Sequence, residues 1–441
     1  MCIPSKITFF TLLAICLNSF SIRAQNPLIL DQYTADPTAR VFDGKLYVYP
    51  SHDILCTENK GRVGWFCMED YHVFSSDNLT TWKDHGAILS QTEVAWADPS
   101  GYSMWAPDCV ERDGKYYFYF PTKPKDAKGF KIGVAISDSP EGPFVTQENP
   151  ISGVDGIDPN VFIDADGQAY LYWSGGNIFV AKLKPNMTEL ASEPQVIANL
   201  PQEGLKEGPF VFERNGLYYL TYPHVENKTE RLEYAMGPTP EGPFTVTGVI
   251  MDESPTGCWT NHQSIVNFKD QWYLFYHHND LSPDFDKNRS IRADSLSFNR
   301  DGTIRKVQPT LRGIGINKAT ERIQLDRYSG KSDSATIQFN DPETPFKGWH
   351  AVLSAGDFIR YNQVDFESGR SEILLHVKSE EGAVIELSSA DSDQLITKLN
   401  IPDSTGWSSL DFELANPEVG IHDLEIKVIS GAAAIDWIQF K

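Results

Sequence analysis

The dominant pattern along the chain is a pair of short apolar runs separated by a polar turn, and it recurs five times. Each copy opens with an apolar run, passes through a turn that is usually Asp-Gly or Asn-Gly, and ends in a run rich in tyrosine. The copies read ARVFDGKLYVYPS, CVERDGKYYFYFPT, NVFIDADGQAYLYWS, FVFERNGLYYLTYP and SIVNFKDQWYLFYHH. Because Asp-Gly and Asn-Gly tolerate the positive φ of tight turns, each copy predicts a β-hairpin. The fifth copy has the weaker pair Asp270-Gln271 at its turn.

The spacing of the copies predicts a five-bladed β-propeller. Each copy has a tyrosine at the equivalent position: Tyr47, Tyr117, Tyr170, Tyr219 and Tyr273. Successive tyrosines are 70, 53, 49 and 54 residues apart. A second hairpin-like stretch follows each copy, so a unit of roughly 50 residues holds about four strands, as a propeller blade does. A sandwich with accidental internal similarity is the alternative, and five copies in order argue against it. Extra length at residues 53–70 and 90–104 predicts long loops on one face, where function usually lies.

The pattern changes after residues 310–320, which interrupt the repeat. Residues 321–441 alternate apolar and polar positions in seven short runs, with turns such as Ser368-Gly369 and Thr405-Gly406 between several of them. Alternation with a period of two predicts strands with one buried face, and here a β-sandwich. No long amphipathic helix is indicated. We therefore expect an all-β protein, with a propeller over residues 25–312 and a jelly-roll-like sandwich over residues 321–441.

The first 24 residues have the pattern of a cleaved secretory signal peptide. Lys6 supplies a positive start, residues 7–20 are mostly apolar, and the small residue Ala24 precedes Gln25. This run is too short for a stable transmembrane anchor, and no later run is long enough to span a bilayer. Lipid attachment at Cys16 is disfavoured, because Ile15 stands where a small residue is expected. The sequence predicts a secreted or periplasmic protein.

Composition argues against one class of partner. The chain carries 60 Asp and Glu against 38 Lys and Arg, a formal net charge of −22. Nucleic acids and anionic membranes require a basic face, so neither is expected as a partner. The 25 Phe, 18 Tyr and 10 Trp offer flat surfaces on which sugars stack, although core packing explains most of them.

Four cysteines follow the predicted signal peptide. Cys56 and Cys67 share one polar loop and can form a disulfide in an oxidising compartment. Cys109 and Cys258 are equally well explained as buried thiols. The spacings contain no zinc pattern.

Acidic residues stand at the start of the first strand in several units. Asp36 and Asp158 each precede a proline, Glu207 precedes Gly-Pro, and Asp108 follows Ala-Pro. The innermost strands of a propeller converge on its axis, so we expect side chains at their starts to meet in one pocket. Asp-Pro and Gly-Pro are also ordinary turn signals. Three carboxylates at the same phase of a repeat favour a functional interpretation.

A cluster of carboxylates suits the hydrolysis of a glycosidic bond. Mutual repulsion keeps at least one of them protonated near neutral pH. That acid protonates the leaving oxygen, while a carboxylate on the opposite side activates water. A separation of roughly 6.5–9.5 Å leaves room for the water and inverts the anomeric centre.

These residues carry a family resemblance over about residues 27–310. The stretches ADPTARVF, MWAPDCV, IDPNVFIDADGQAYLYW, EGPFVFERNGLYYLTY and NHQSIV, in that order, resemble glycoside hydrolase family 43. The resemblance implies a five-bladed propeller that hydrolyses glycosidic bonds with inversion and requires no cofactor for its chemistry. It implies that Asp36 is the general base, that Glu207 is the general acid, and that Asp158 raises the pKa of the acid and orients it.

The same resemblance implies three further residues near the sugar. Trp105 is similar to an aromatic wall of the sugar site, with core packing as the alternative. Arg289 is similar to an arginine that reaches the central pocket; Arg292 competes for that role, and a surface position is the alternative for both. His262 is similar to a histidine in the channel that approaches a bound calcium ion in part of the family, although a simple hydrogen bond in the channel would also explain it.

Residues 321–441 resemble a carbohydrate-binding module of family 6, through ERIQLDRYSG, SAGDFIRYNQVDF, STGWSSLDF, GIHDLEIKV and AIDWIQF. The resemblance implies a structural Ca²⁺ with oxygen ligands, and ordinary edge polar residues are the alternative. The implied ligands are Gln324, Asp326 and Asp436. Trp349 and Trp407 are candidates to sandwich a sugar ring. Alanines fill positions 432–434 where the family often has Asn, so the module is either sugar-binding or a structural partner of the propeller.

The expected activity is therefore cleavage of α-L-arabinofuranosyl or β-D-xylosyl linkages in a plant cell-wall polysaccharide such as arabinoxylan. A β-D-galactofuranosidase of the same family is an alternative. A non-catalytic glycan-binding protein would require a lost acid or base, and both are present. A propeller used for protein interaction would have no convergent carboxylates.

Overall fold

The computed structural model describes residues 22–23 and 26–441, with residue 393 excepted. Apart from residues 22–23, the predicted signal peptide lies outside the described residues. Those residues form strands and two short 3₁₀ turns, Gln91–Glu93 and Pro345–Lys347, without any α-helix. None of their helices is long and apolar enough to cross a membrane. The all-β prediction is confirmed.

Five sheets built from consecutive strands form the propeller, which confirms the prediction of five blades. Blade one contains β1 (Ile22–Arg23), β2 (Tyr33–Phe42), β3 (Lys45–Asp53), β4 (Met68–Ser76) and β5 (Thr81–Ser90). Blade two contains β6 (Asp108–Arg112), β7 (Lys115–Thr122), β8 (Lys131–Ser137) and β9 (Val145–Thr146). Blade three contains β10 (Ile157–Ile163), β11 (Ala169–Ser174), β12 (Ile178–Lys182) and β13 (Gln195–Val196). Blade four contains β14 (Phe210–Arg214), β15 (Leu217–Val225), β16 (Glu230–Gly237) and β17 (Thr245–Met251), and blade five contains β18 (Ser264–Phe268), β19 (Gln271–His278) and β20 (Ser290–Leu296).

The conformation of the hairpin turns explains why the repeat could be recognised in the sequence. Asp43-Gly44, Asp113-Gly114 and Asn215-Gly216 all have positive φ at both residues, the conformation of the tight turns that match strand twist. In blade five the turn lies at Lys269-Asp270, with φ values of 51° and 64°, and not at Asp270-Gln271. The predicted turn was placed one residue too far toward the C-terminus, because neither residue of the actual turn is a glycine that would mark it.

Hydrogen bonds between neighbouring inner strands hold the ring together around its axis. They run from Thr38 Oγ1 to Pro107 O (2.7 Å), Val161 N to Asp108 Oδ2 (2.6 Å), Val211 N to Asn160 Oδ1 (2.9 Å), Gln263 Nε2 to Gly208 O (3.0 Å) and Ala39 N to Ser264 Oγ (2.9 Å). Each satisfies a polar group that would otherwise be buried without a partner. The starts of the five inner strands are thereby fixed relative to one another.

The segment before β2 closes the ring on the side of blade five. Leu28 N donates to Ile291 O at 2.9 Å, and Thr34 N donates to Arg289 O at 3.0 Å. Asn26 reaches further, because its side chain bonds Ala293 through both its oxygen and its nitrogen. This segment therefore lies along β20, at the outer edge of the three-stranded blade.

The second module is a sandwich with one apolar core. Its strands are β21 (Asn317–Lys318), β22 (Ile323–Gln324), β23 (Gly330–Lys331), β24 (Thr336–Phe339), β25 (Trp349–Ser354), β26 (Phe358–Asp365), β27 (Glu372–Ser379), β28 (Ala383–Ser389), β29 (Gln394–Ile401), β30 (Ser404–Glu413) and β31 (Ile421–Phe440). Inward-facing Ile, Leu and Val from both layers form the core. The alternating pattern is confirmed, because buried and exposed positions alternate along β27 and β28.

One long strand joins the two layers of the sandwich. The sequence predicts two strands, in HDLEIKV and AIDWIQF, but both belong to β31. Its first half pairs with β26 and β28, and its second half pairs with β22, β25 and β27. Gly431, with φ 74°, stands between the halves, and a Cβ there would lie 2.0 Å from Gly382 O. The glycine thus marks a change of layer within one strand and not a turn.

The two modules contact each other through polar and aromatic groups. Arg312 Nε donates to Asn362 O at 3.1 Å, and Arg327 donates to the carbonyl of Asn26. The rings of Tyr33 and Phe346 lie 4.9 Å apart. The sandwich therefore packs against the segment that closes the propeller.

Candidate active site

Two aspartates reach the axis because the strands that carry them are distorted at the same point. Asp36 in β2 and Asp158 in β10 have φ values of 47° and 56°, and the pairing register shifts around each of them. Such bulges redirect a side chain out of its strand and are frequent beside active sites. The proline after each aspartate cannot donate a ladder hydrogen bond, which suits a bulge.

Blade four uses a glycine in the same backbone position. Gly208 has φ 54° and also precedes a proline, so it occupies the position that Asp36 and Asp158 have in their strands. Glu207 is the residue before that position. A Cβ at Gly208 would lie 2.9 Å from Pro223 Cδ and 3.1 Å from His262 Cε1. The close approach of blades four and five therefore requires glycine there, and the longer Glu207 side chain reaches the axis from the preceding residue.

These three carboxyl groups line one cavity of about 220 Å³ at the axis. Trp65, Phe66, Trp105 and Trp259 form an aromatic wall around it. Trp65 and Phe66 lie in the first of the two long loops predicted from the sequence, residues 53–70, and Trp105 directly follows the second, residues 90–104. The remaining lining residues are Met68, Ala106, Ile157, Glu230, Thr260, His262 and Arg289.

Asp36 is held as a carboxylate chiefly by Arg289. Burial alone would raise its pKa, but Arg289, His277 and His262 together with the Ser51 hydroxyl lower the pKa to about 2. Arg289 Nη1 donates to Asp36 Oδ1 at 2.7 Å, and Ser51 Oγ donates to Oδ2 at 2.7 Å. Asp36 is therefore ionised at neutral pH.

Asp53 fixes the arginine that serves Asp36. Arg289 donates to Asp53 through Nε and Nη2, both at 2.9 Å, and through its backbone N–H at 2.8 Å. Both side chains are almost fully buried. A two-pronged contact of this kind fixes the plane of the guanidinium, so the remaining Nη1 points at Asp36.

Glu207 is paired with a fourth carboxyl group, that of Glu230. Burial raises the pKa of Glu207 well above its usual range, and its hydrogen bond to Glu230 and the charges of Glu230 and Asp36 raise it further. Burial also raises the pKa of Glu230, to about 8, against the opposing effect of bonds from Glu207 and Asn261 N. The Asn261 bond measures 2.7 Å. Glu207 therefore keeps its proton at neutral pH.

Asp158 titrates near neutrality. Burial and the charge of Glu207 raise its pKa to about 7, opposed by His262 and by the backbone N–H of Gly208. Gly208 N donates to Asp158 Oδ2 at 2.9 Å. This bond ties Asp158 to the residue next to Glu207. The family resemblance implies that Asp158 raises the pKa of the acid. In the structure, Glu230 has the larger influence on the pKa of Glu207.

The other propeller residues singled out by sequence also lie at this cavity. Trp105 forms part of its wall, and its indole N–H has no hydrogen-bond partner among the described residues. His262 Nδ1 lies 4.0 Å from Asp36 Oδ1. Of the two arginines, Arg289 is the one at the cavity, because Arg292 bonds His278 and the carbonyl of Thr310 elsewhere. Asp108 instead pairs with Arg40 at 2.6 Å in the axis.

Sequence reasoning missed several residues of the site. Glu230 opens the third strand of blade four, outside the repeated hairpin motif. The strand reads ERLEYAMG and also contains Arg231 and Glu233, so its local pattern does not single out Glu230. Asp53 and His277, which contact Arg289 and Asp36, lie at the far ends of tyrosine-rich strands and gave no motif of their own.

The sandwich candidates fall into two places. Gln324, Asp326, Asp436 and Trp349 line one cavity of about 240 Å³. Trp407 is more exposed and stacks on His376, with ring centroids 5.2 Å apart. Trp349 instead packs against Phe339 and Arg327. Each tryptophan thus has its own neighbours.

The implied calcium ligands do not fit that ion as they are arranged. Their oxygens are of the right chemical type, and burial raises the pKa of both Asp326 and Asp436 to about 6. However, Arg327 Nε lies 2.5 Å from Asp326 Oδ2. A calcium ion bound to that oxygen of Asp326 would have to displace the guanidinium of Arg327. The calcium site stays a prediction.

Cys56 and Cys67 lie on either side of Gly61, at the base of the loop that carries Trp65. A Cβ on Gly61 would be 2.7 Å from Cys67 Sγ and 3.4 Å from Cys56 Sγ. Both are free thiols here, as are the buried Cys109 and Cys258. The disulfide stays a prediction.

Two depressions of more than twice the volume of the axial cavity lie elsewhere and gather no comparable chemistry. One, of about 590 Å³, lies between the modules and is lined by residues such as Arg312 and Asn362. The other, of about 790 Å³, lies around Arg40 and Trp272. The smaller axial cavity is the candidate site because it alone among these three holds coupled, buried carboxyl groups.

Comparison with known proteins gives a consistent result for both modules. Residues 24–304 match the model of glycosyl hydrolases family 43, and residues 327–441 match that of the carbohydrate binding module, family 6. A xylosidase/arabinosidase of Humicola insolens is 38% identical over 335 residues, which is 64% of this chain and 99% of that protein. Both resemblances seen in the sequence are confirmed.

Solved structures extend the similarity to three dimensions. A GH43_1 enzyme from Xanthomonas citri in complex with xylotriose is 38% identical with a TM-score of 0.58, covering 65% of this chain and 94% of that one. An arabinoxylan arabinofuranohydrolase from Bacillus subtilis in complex with cellotetraose is 27% identical with a TM-score of 0.57, covering 96% of this chain and 99% of that one. The second alignment includes both modules.

Proposed function

Because this chain belongs to glycosyl hydrolases family 43, we propose that it cleaves β-D-xylosyl or α-L-arabinofuranosyl groups from xylan or arabinoxylan, with inversion of the anomeric centre. Asp36 is the general base, Glu207 the general acid, and Asp158 the carboxyl group that orients the acid. The similarity to a xylosidase/arabinosidase and to an arabinoxylan arabinofuranohydrolase supports this substrate class.

The observation that carries the proposal is the division of protons among the buried carboxyl groups. Asp36 has a pKa of about 2, whereas the pKa of Glu207 lies well above its usual range. One ionised base and one protonated acid in the same cavity are what hydrolysis of a glycoside requires.

In the proposed mechanism, Asp36 accepts a proton from water as the water attacks the anomeric carbon. Glu207 donates its proton to the leaving oxygen on the other side of the sugar. The bond between the anomeric carbon and the leaving oxygen breaks as the new bond to water forms. The partial positive charge on the ring in the transition state is balanced by Asp36, before it has taken the full proton from water, and by the carboxylate that forms at Glu207. Arg289 remains bonded to Asp36 through Nη1 and orients it toward the water.

Glu230 completes the acid. With a pKa of about 8, it is protonated at neutral pH and can donate a hydrogen bond to Glu207 once Glu207 has lost its proton. A carboxyl pair of this kind shares its protons and titrates as a unit. Glu230 thus acts through Glu207 and is a positioning residue.

The size of the cavity favours binding of a single terminal or side-chain sugar. Its volume of about 220 Å³ is below the roughly 300–1,000 Å³ of common ligand pockets. A wall of four aromatic side chains offers faces for stacking on the apolar side of a pyranose or furanose ring. We infer release of single pentose units and not internal cleavage.

The decisive experiment compares Glu207→Gln with the wild type on two leaving groups. Without its acid, the variant should lose roughly 10²–10⁴-fold in kcat on xylobiose or an arabinoxylan oligosaccharide. Nitrophenyl pentosides should lose much less, because their leaving group needs no proton. Glu213→Gln, at an exposed hairpin, is the control. Equal loss on both substrate types would contradict the assignment of Glu207 as the acid.

The substrate and the stereochemistry need their own measurement. A panel of nitrophenyl β-D-xyloside, α-L-arabinofuranoside and β-D-galactofuranoside ranks the pentose proposal against the galactofuranosidase alternative. Proton NMR of the first-formed sugar then reads its anomeric configuration. Retention would contradict an inverting mechanism.

Two further expectations belong to the proposal. We infer export, on the signal-peptide pattern of residues 1–24, and N-terminal sequencing of protein from culture fluid or periplasm tests it. The sandwich acts as a polysaccharide-binding or supporting module, and a pull-down on insoluble arabinoxylan distinguishes these roles.

A further inference from the structure

Four metal-binding types of side chain gather on blade one, away from the cavity. His52 on β3, Asp70 and His72 on β4, and Asp84 on β5 come from three adjacent strands. One ligand atom each from His52, Asp70 and His72 lies within 4.8 Å of the other two. The two imidazole rings face each other edge to face, with centroids 5.0 Å apart.

Each imidazole is oriented by a carboxylate. His52 Nδ1 lies 2.6 Å from Asp70 Oδ1, and His72 Nδ1 lies 3.1 and 3.2 Å from the two oxygens of Asp84. Gln32 Nε2 and Gly86 N in turn donate to Asp84, at 3.1 and 2.7 Å. A histidine whose ring is fixed by a carboxylate is the common arrangement around protein-bound zinc.

Among the described residues, no lysine or arginine forms an ion pair with Asp70 or Asp84, whose ion-pair partners are His52 and His72. A dication bound to the imidazoles in place of their protons would supply the positive charge beside these two carboxylates. In addition, Gln32 Oε1 is a buried acceptor without a hydrogen-bond partner.

We propose that His52, Asp70 and His72 form a binding site for a divalent transition-metal ion, with Asp84 and Gln32 orienting His72. Two imidazole nitrogens and a carboxylate oxygen suit Zn²⁺, which commonly takes three protein ligands and a water molecule. The four side chains remain partly accessible, with exposed fractions between 17% and 27%. The ion can therefore enter from solvent.

The site lies next to the support of the base. His52 is followed directly by Asp53, which fixes Arg289 against Asp36. The two side chains lie on opposite faces of β3, since successive residues of a strand alternate. The metal site is thus separate from the proposed catalytic cavity, and its test does not depend on the proposed activity.

Binding is tested with the full chain after chelator treatment and with Zn²⁺ as the only added ion. Equilibrium dialysis with elemental analysis should give one Zn²⁺ per chain for the wild type. His52→Ala and His72→Ala should each lower the affinity by at least about tenfold, and Asp84→Asn by about tenfold through loss of orientation. His85→Ala is the matched control, because His85 lies on the same blade but outside the cluster. Its Nε2 forms a hydrogen bond with Ser75 Oγ at 2.8 Å.

The cobalt form gives a second reading that does not depend on affinity. Co²⁺ bound by two imidazoles and a carboxylate in a four-coordinate site should show visible absorption that disappears in the double variant His52→Ala/His72→Ala. Asp70→Asn, which preserves shape, serves if an alanine variant fails to fold. Zinc uptake that is absent in the wild type, unchanged in the double variant, or lost equally in His85→Ala would overturn the proposal.

Discussion

At the residue scale, the backbone of Asp36 and Asp158 matters as much as their charge. Left-handed φ values cost a non-glycine residue about 1–3 kcal/mol, so two aspartates in this state must be held by their surroundings. Hydrogen bonds from Ser51, Arg289 and Gly208 do this. Asp-Pro occurs four times in the sequence, and the phase of the repeat singles out the two at Asp36 and Asp158. The sign of φ becomes evident only when neighbouring strands are in place.

Glu230→Gln tests the shared proton of the acid. In the wild type, the negative charge of Glu230 is one of the influences that raise the pKa of Glu207. Without that charge the pKa of Glu207 falls, so the basic limb of the pH profile of kcat/KM should move to lower pH by about one unit. Glu213→Gln should leave the limb in place. An unmoved limb in a folded Glu230→Gln protein would contradict the role given to Glu230.

Arg289 sets the acidic limb of the same profile. Burial opposes ionisation of Asp36, and Arg289 is the strongest influence that favours it. Arg289→Met should raise the pKa of Asp36 from about 2, so activity should begin to fall at a higher pH as the solution is acidified. Arg289→Lys keeps the charge and should move this limb less. Identical limbs in both variants would show that the charge of Arg289 does not act on Asp36.

At the element scale, features that depend on neighbouring residues could be predicted from the sequence, whereas features that depend on contacts between distant residues could not. The hairpins could be predicted because Asp-Gly and Asn-Gly specify their own turns. Glu230 could not, because its importance arises from β16 lying beside the start of β14. The single strand β31 was missed for a similar reason: Ser430-Gly431 has the composition of a turn, and only the proximity of Gly382 O to Gly431 shows that the strand continues.

Gly208→Ala tests the close approach of blades four and five. The new methyl would meet Pro223 and His262 at about 3 Å, so Glu207 must shift. Displacement by an ångström can cost about 10²-fold in rate, and we expect a loss of that order in kcat/KM. Gly216→Ala also has positive φ, at 78°, but nothing lies within 4 Å of its Cβ. This control should be destabilised by about 1 kcal/mol and keep its activity.

At the scale of the whole molecule, the two modules share a hydrogen-bonded junction. Arg312 is buried and donates to the carbonyls of Asn362, Ile314 and Gly315. The sequence marked residues 310–320 as a break in the repeat, but nothing in a local pattern shows that an arginine from the break would bond the sandwich. Junctions between modules depend on residues far apart in the chain, and single-sequence patterns carry little information about them.

Arg312→Ala should weaken this junction without affecting chemistry. Three carbonyls lose the charged donor that the buried Arg312 supplies, which we expect to cost about 1–3 kcal/mol and to lower the melting temperature. Hydrolysis of a nitrophenyl pentoside at 25 °C should be unchanged. Arg360→Ala, which breaks an exposed pair with Glu425, is the control and should cost at most about 1 kcal/mol. Equal melting temperatures for the two variants would show that Arg312 does not stabilise the junction.

The segment at residues 26–34 has a consequence for how the protein is made. It leaves the ribosome before most of blade one and all of the other blades, yet its hydrogen-bond partners include Arg289, Ile291 and Leu311, among the last parts of the propeller to be synthesised. Asn26 and Ala293 are 267 positions apart. The circle therefore cannot be completed during translation of the early blades, and a nascent chain keeps an open seam until nearly the whole propeller has emerged.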